Sequence, residues 1–181
     1  ESGHALLFHL LPDMDSVYTI SIIPIGMGAA GYTMPHQDND EMFNTKGQML
    51  QDIQVSLGGR IAESLIFDDI TTGASNDLKK ATRVARAMVT RFGMTSELGP
   101  ICYEEDDEEV FLGKDLARSK GYGEETAAKI DAEVERIMQE CYQKAEAILK
   151  ENMDVLHASA NLLLEKEKIG RDEFEALFVT Q

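Results

Sequence analysis

Between Glu124 and Asn152 the apolar residues Ala127, Ile130, Val134, Ile137, Cys141, Ala145, Ile148 and Leu149 recur at helical spacing. That pattern puts them on one stripe of a long helix and leaves its other faces polar. A lone helix cannot bury such a stripe, so the chain must pack further helices against it. Other segments supply them. Residues 1–11 are apolar on most faces and read as a buried helix that Pro12 ends. A helix led by Thr45 carries Leu50, Ile53, Leu57, Ile61, Leu65 and Ile66. Its start, Thr45-Lys46-Gly47-Gln48, has the form of a capping box. Gly58-Gly59 lies inside it and costs about 1 kcal/mol per glycine relative to alanine, which favours a close-packing contact over a break. A further helix carries Leu78, Ala81, Val84, Ala85, Met88 and Phe92, with Ser75 or Asn76 as its expected cap and Gly93 at its left-handed end. Two shorter helices follow, one with Val155, Leu156, Leu162 and Leu163, the last with Phe174, Leu177 and Phe178.

One stretch breaks the helical rule. Val17, Tyr18, Ile20, Ile22 and Ile23 are strand formers, and Pro24 argues for a strand at a sheet edge. Gly26, Gly28 and Gly31 make a turn before a second short strand at Tyr32–Met34. The expected class is therefore mostly α, with a small β-hairpin and a C-terminal helical bundle. With 181 residues the chain forms a single domain, 1–181, in which residues 1–100 and 101–181 read as two halves.

The formal net charge of −16 repels phosphate backbones, so nucleic acid is not an expected partner. The run Glu104–Glu109 lacks calcium-loop spacing and reads as a solvated acidic loop. The longest apolar run, Ala5–Leu11, is too short to span a bilayer. Cys102 and Cys141 give no disulfide framework; both are expected to be packing residues in a reducing compartment.

The chemistry-bearing pattern is Glu1-Ser2-Gly3-His4, which is E-x-x-H. In the complete motif H-E-x-x-H two histidines one helical turn apart bind a metal and the glutamate serves as general base. Alone, E-x-x-H is common on helices. A third zinc ligand has to come from elsewhere, and Asp77, at the start of a helix after "TTGASN", carries a suitable oxygen. A first-turn aspartate also has a ready structural use against the helix dipole.

Taken in order, "ESGHALLFHLLPD", "ISIIPIGMGAAGYTM", "LGGRIAESLIF", "TTGASNDLKKAT", "MVTRFGMTSELGP", "VFLGKDLARSKGYGEETAAKIDAEV" and "LLLEKEKIGRDEFEALF" resemble the peptidase domain of the FtsH family across essentially the whole chain. "TTGASND" together with "VFLGKD" is far more specific than E-x-x-H. That family comprises membrane-anchored, ATP-dependent AAA+ zinc proteases. The resemblance implies a Zn2+ site with His4 and Asp77 as ligands and Glu1 as general base. The first histidine of the motif should be the residue immediately before Glu1. It also implies unfolded or membrane protein substrates, an AAA+ ATPase domain upstream in the same chain, and a homo-hexamer in the full-length protein. The anchor would be in the membrane and the peptidase domain on the cytoplasmic side. A peptide strand could add to a sheet edge near Ile20, Ser21 and Ile22 or near Ala29, Ala30 and Gly31. The competing expectation is a ring-forming assembly module whose zinc site is lost. The presence of Glu1, His4 and Asp77 together speaks against it.

Overall fold

A computed structural model describes residues 1–24, 31–36, 43–104 and 121–179. Among them the helices are α1 (Ser2–Leu10), α2 (Lys46–Phe67), α3 (Ser75–Thr90), α4 (Glu124–Glu151), α5 (Met153–Lys166) and α6 (Arg171–Val179). The strands are β1 (Val17–Ser21), β2 (Tyr32–Pro35) and β3 (Lys168–Gly170). The chain is mostly α with one small antiparallel sheet, as the periodicities imply. The glycine turn at Gly26 and Gly28, the acidic run from Asp106 to Glu109, Glu105 before it, and "VFLGKD" lie outside the described residues.

The α4 stripe is buried at Ile130, Val134, Ile137, Cys141, Ala145 and Leu149. It packs on α2 and α3, so residues before and after position 100 share one hydrophobic cluster. Leu6 and Leu7 of α1 and Ile53 and Ile61 of α2 are wholly buried in that cluster. Each such side chain contributes about 1.5–3 kcal/mol relative to an exposed one. Thr45 caps α2 as expected: its hydroxyl accepts from Gln48 N at 3.1 Å, and Gln48 Oε1 accepts from Thr45 N at 2.7 Å. Gly93 has φ of +57°, the left-handed value expected after α3.

The glycines of α1 and α2 let the two helix backbones touch. A Cβ on Gly3 would lie 2.4 Å from the Gly58 carbonyl oxygen, and one on Gly58 would lie 2.8 Å from that of Gly3. The pair at 58–59 is thus a packing contact, and it sets how closely α1 approaches α2. Beyond the crossing, Ser2 Oγ meets Ser159 Oγ of α5 at 2.9 Å in the interior.

The sheet differs from expectation. Its order is β2-β1-β3, so β1 is the central strand and not an edge. Ile20 pairs with Thr33 on one side and Ile169 on the other, and Ser21 pairs with Tyr32 and Lys168. Pro24 imposes no edge because the strand ends at Ser21, before the proline. The α3 entry differs as well. Ser75 and Asn76 lie inside the helix, and the preceding 3-10 turn Thr72–Ala74 is capped by Thr71, whose hydroxyl accepts from Gly73 N. Cys141 is buried, but Cys102 is exposed and packs no core.

Candidate metal centre

Helix α1 delivers two of the expected residues. Glu1 stands at its N-cap and His4 one turn on. The His4 ring lies against α2, where Nδ1 is 2.7 Å from the Val55 carbonyl oxygen. A carbonyl only accepts, so Nδ1 carries the proton and Nε2 of the neutral ring presents a lone pair. That bond holds both tautomer and ring orientation, as the outer partner of a metal-binding histidine does. Gly59 makes room for the ring: a Cβ there would lie 2.6 Å from His4 Nε2.

Asp77 comes from the first turn of α3. Its Oδ2 is 3.6 Å from His4 Nε2. The turn that carries it is tied to α2, since Glu63 accepts from Thr71 N at 3.1 Å and Arg60 donates to Thr71 O at 3.3 Å. With a proton on Nε2 the His4 ring donates toward this carboxylate and holds the Asp77 carboxyl below its usual range, against the opposing cost of partial burial and with help from Lys80.

Glu1, His4 and Asp77 line one cleft of about 610 Å³, together with Gly31, Thr33 of β2, and Gly59 and Glu63 of α2. The structure thus brings all three together from α1 and α3. The donor set suits zinc. Two acceptor atoms that face each other, one imidazole nitrogen and one carboxylate oxygen, are stable as neighbours when a cation lies between them. In a tetrahedral site with bonds of about 2.0–2.2 Å, two such donors stand roughly 3.4 Å apart, close to the spacing here. Among the described residues no third His, Cys, Asp or Glu completes a three-member group.

The expected peptide-binding residues fare differently. Ile20 and Ser21 are buried and paired on both sides, so neither offers a free edge. The Ile22 amide is spent on the Glu167 carbonyl at 2.9 Å. Ala29 and Ala30 lie outside the described residues. Gly31 does line the cleft, and β2, which follows it, has one edge without a strand partner among the described residues.

Thr33 has no role in the expectations from sequence. Its hydroxyl is 2.7 Å from Glu1 Oε2, a length suited to a charge-assisted bond. The two residues are 32 positions apart, so no local motif signals the contact. The remaining histidines stay away from the cleft. His9 packs against Phe174 and Phe178, His36 stacks on Tyr18, and His157 is exposed on α5. No helix among the described residues is long and apolar enough to cross a membrane.

Comparison with known proteins identifies the family. The model of peptidase family M41 matches residues 1–177. The chain is 49% identical over 178 residues to the ATP-dependent zinc metalloprotease FtsH 1 of Thermoanaerobacter sp., covering 98% of this chain and 29% of that protein. It is 51% identical over 178 residues to the ATP-dependent zinc metalloprotease FtsH of Veillonella parvula, covering 98% and 28%. Against the protein of that name from Thermotoga maritima it is 41% identical over 177 residues, covering 98% and 29%. The chain therefore spans less than a third of the length of these relatives. A family match over nearly all of its residues, on a fold that gathers Glu1, His4 and Asp77 in one cleft, makes this chain a member of peptidase family M41.

Proposed function

We propose that this chain is the zinc endopeptidase unit of a longer ATP-dependent protease. The observation that carries the reading is the convergence of His4 Nε2 and Asp77 Oδ2 at 3.6 Å in the cleft that also holds Glu1. His4 and Asp77 would hold the metal, with a histidine immediately before Glu1 as the remaining ligand. When bound, zinc supplies Lewis acidity, polarising the scissile carbonyl and bringing the pKa of water to about 7. Glu1 takes the proton of the attacking water and passes a proton to the leaving amine. Val55 keeps the His4 ring in place throughout, and the Thr71 turn does the same for Asp77. No covalent intermediate is required, and neither cysteine takes part.

The edge of β2 that has no strand partner among the described residues is the place for substrate. An extended peptide that pairs there by main-chain hydrogen bonds is gripped without regard to its sequence, which suits cleavage of unfolded chains. The names of the relatives and the fraction of their length that this chain spans support an AAA+ ATPase domain ahead of it in the same polypeptide. The resemblance extends the reading to a homo-hexamer anchored in a membrane, with this domain facing the cytoplasm. Unfolded and membrane proteins are then the substrates.

His4→Ala and Asp77→Ala test the ligand set. In the full-length protein each should lower zinc content well below one per chain and stop cleavage of an unfolded protein such as casein. An Asp77→Ala protein that keeps its zinc would refute the ligand role of Asp77.

A further inference from the structure

We propose that Thr33 is a positioning residue for Glu1, and that β2 therefore both receives the peptide and aims the base that acts on it. The proposal rests on the protease reading above. Its starting point is the contact of Thr33 Oγ1 with Glu1 Oε2 at 2.7 Å. The same hydroxyl lies 3.2 Å from the Glu1 main-chain oxygen. A threonine hydroxyl has one proton, and the shorter contact is to an ionised oxygen, so the proton goes to Oε2. The Glu1 carbonyl is served already by the Ala5 amide at 3.0 Å.

Glutamate has three rotatable side-chain bonds, and its backbone position alone does not fix where the carboxylate points. The Thr33 bond supplies that constraint. It occupies Oε2 and leaves Oε1 for the proton that hydrolysis has to move. Strand geometry makes the bond possible. Thr33 and Pro35 share one face of β2 and both line the cleft, as do Tyr32 and the preceding Gly31. Gly31 gives the carboxylate its space, because a Cβ there would stand 3.0 Å from Glu1 Cγ and 3.2 Å from Oε1. Register matters equally. Thr33 is opposite Ile20 of the central strand, and a slip by one residue would replace its hydroxyl with Tyr32 or Met34. A peptide paired to the outer edge of β2 is thereby held in register with the residue that orients the base.

The test compares Thr33→Val and Thr33→Ser with wild type in the full-length protein, on casein and on a short peptide. Zinc content and thermal unfolding are measured alongside. Valine keeps the shape and removes the proton. We expect kcat to fall about ten- to a hundredfold for Thr33→Val, with KM and zinc content unchanged. Serine should restore kcat to within about threefold, since it retains the donor. Wild-type kcat in Thr33→Val, or an equal loss in both variants, overturns the positioning role and leaves the protease reading intact. A loss of kcat that tracks a loss of zinc or of folded protein also overturns it. A zinc-loaded wild type that cleaves neither substrate sinks the protease reading itself, and the role of Thr33 with it.

Discussion

Gly59→Ala should separate the fold from the metal site. The new methyl would enter 2.6 Å from His4 Nε2, with the two adjacent ring carbons at 3.2 and 3.3 Å. Unstrained carbon contacts begin near about 3.5 Å, so the ring has to retreat by roughly 1 Å. Retreat loosens the 2.7 Å bond from Nδ1 to the Val55 carbonyl. Such a bond contributes about 1 kcal/mol net. Against that loss, alanine gains about 1 kcal/mol over glycine inside α2. The two effects nearly cancel. Urea unfolding of the metal-stripped protein should therefore shift by less than about 1 kcal/mol. Zinc binding has no such compensation, because the displaced atom is the donor. Chelator competition should give an affinity lower by about 100-fold, roughly 2.8 kcal/mol. Native zinc affinity in Gly59→Ala would refute the assignment of Nε2 as the donor. A large loss of metal-free stability would show that the His4–Gly59 contact serves the fold instead.

The neighbouring glycine should behave in the opposite way. Gly58→Ala puts a methyl 2.8 Å from the Gly3 oxygen, which is backbone and cannot swing aside; urea unfolding should register a net loss of about 1–2 kcal/mol, overpacking less the propensity gain. On α4, Arg136 holds the nearly buried Glu133 through two bonds of 2.9 Å and reaches Glu140 at 2.8 Å. Its hydrogen bonds keep the Glu133 carboxyl below its ordinary 4.5. A carboxyl lowered in the folded state adds stability above its unfolded pKa, and that stability is lost as pH falls through the folded value. Arg136→Met should thus cost about 1–2 kcal/mol near pH 7, discounted for the exposure of the guanidinium, and the difference from wild type should shrink below pH 4.5. Burial pushes the Cys141 thiol up to about 11, whereas Cys102 is exposed. Iodoacetamide at neutral pH should label Cys102 alone in the native protein and both cysteines after denaturation, read by mass spectrometry.

How far the sequence reveals this molecule depends on the distance over which each feature is determined. The capping box of α2 involves residues three apart, and it reads directly. So does the stripe of α4, because a helix buries what its own period aligns. The glycine pair at 58–59 predicts a close approach from its helix cost alone, though not that Gly3 and His4 are what approach. The strand was placed but not its rank in the sheet. β3 is only three residues, Lys168–Gly170, too short for an alternating pattern, yet it covers the side of β1 that Pro24 suggests is open. The α3 start shows a similar competition. Ser75 and Asn76 are good caps by type, but the 3-10 turn headed by Thr71 moves the cap upstream and takes both into the helix. In the site, Glu1 and His4 stand at helical spacing, but E-x-x-H alone is common on helices, and it is the resemblance that singles them out. Asp77 is not separable from a dipole-compensating acid until the structure sets it beside Nε2. Val55 and Thr33 are invisible in advance, because a carbonyl 51 residues away and a hydroxyl 32 residues away carry no local signature.

The most direct measurement is zinc content together with casein cleavage, made on the full-length protein and on its Glu1→Gln variant. If Glu1, His4 and Asp77 form a zinc peptidase centre, both proteins carry about one zinc per chain and only the wild type cleaves, with the variant slower by at least about a hundredfold. Zinc absent from both proteins, or cleavage by Glu1→Gln at the wild-type rate, would contradict the account.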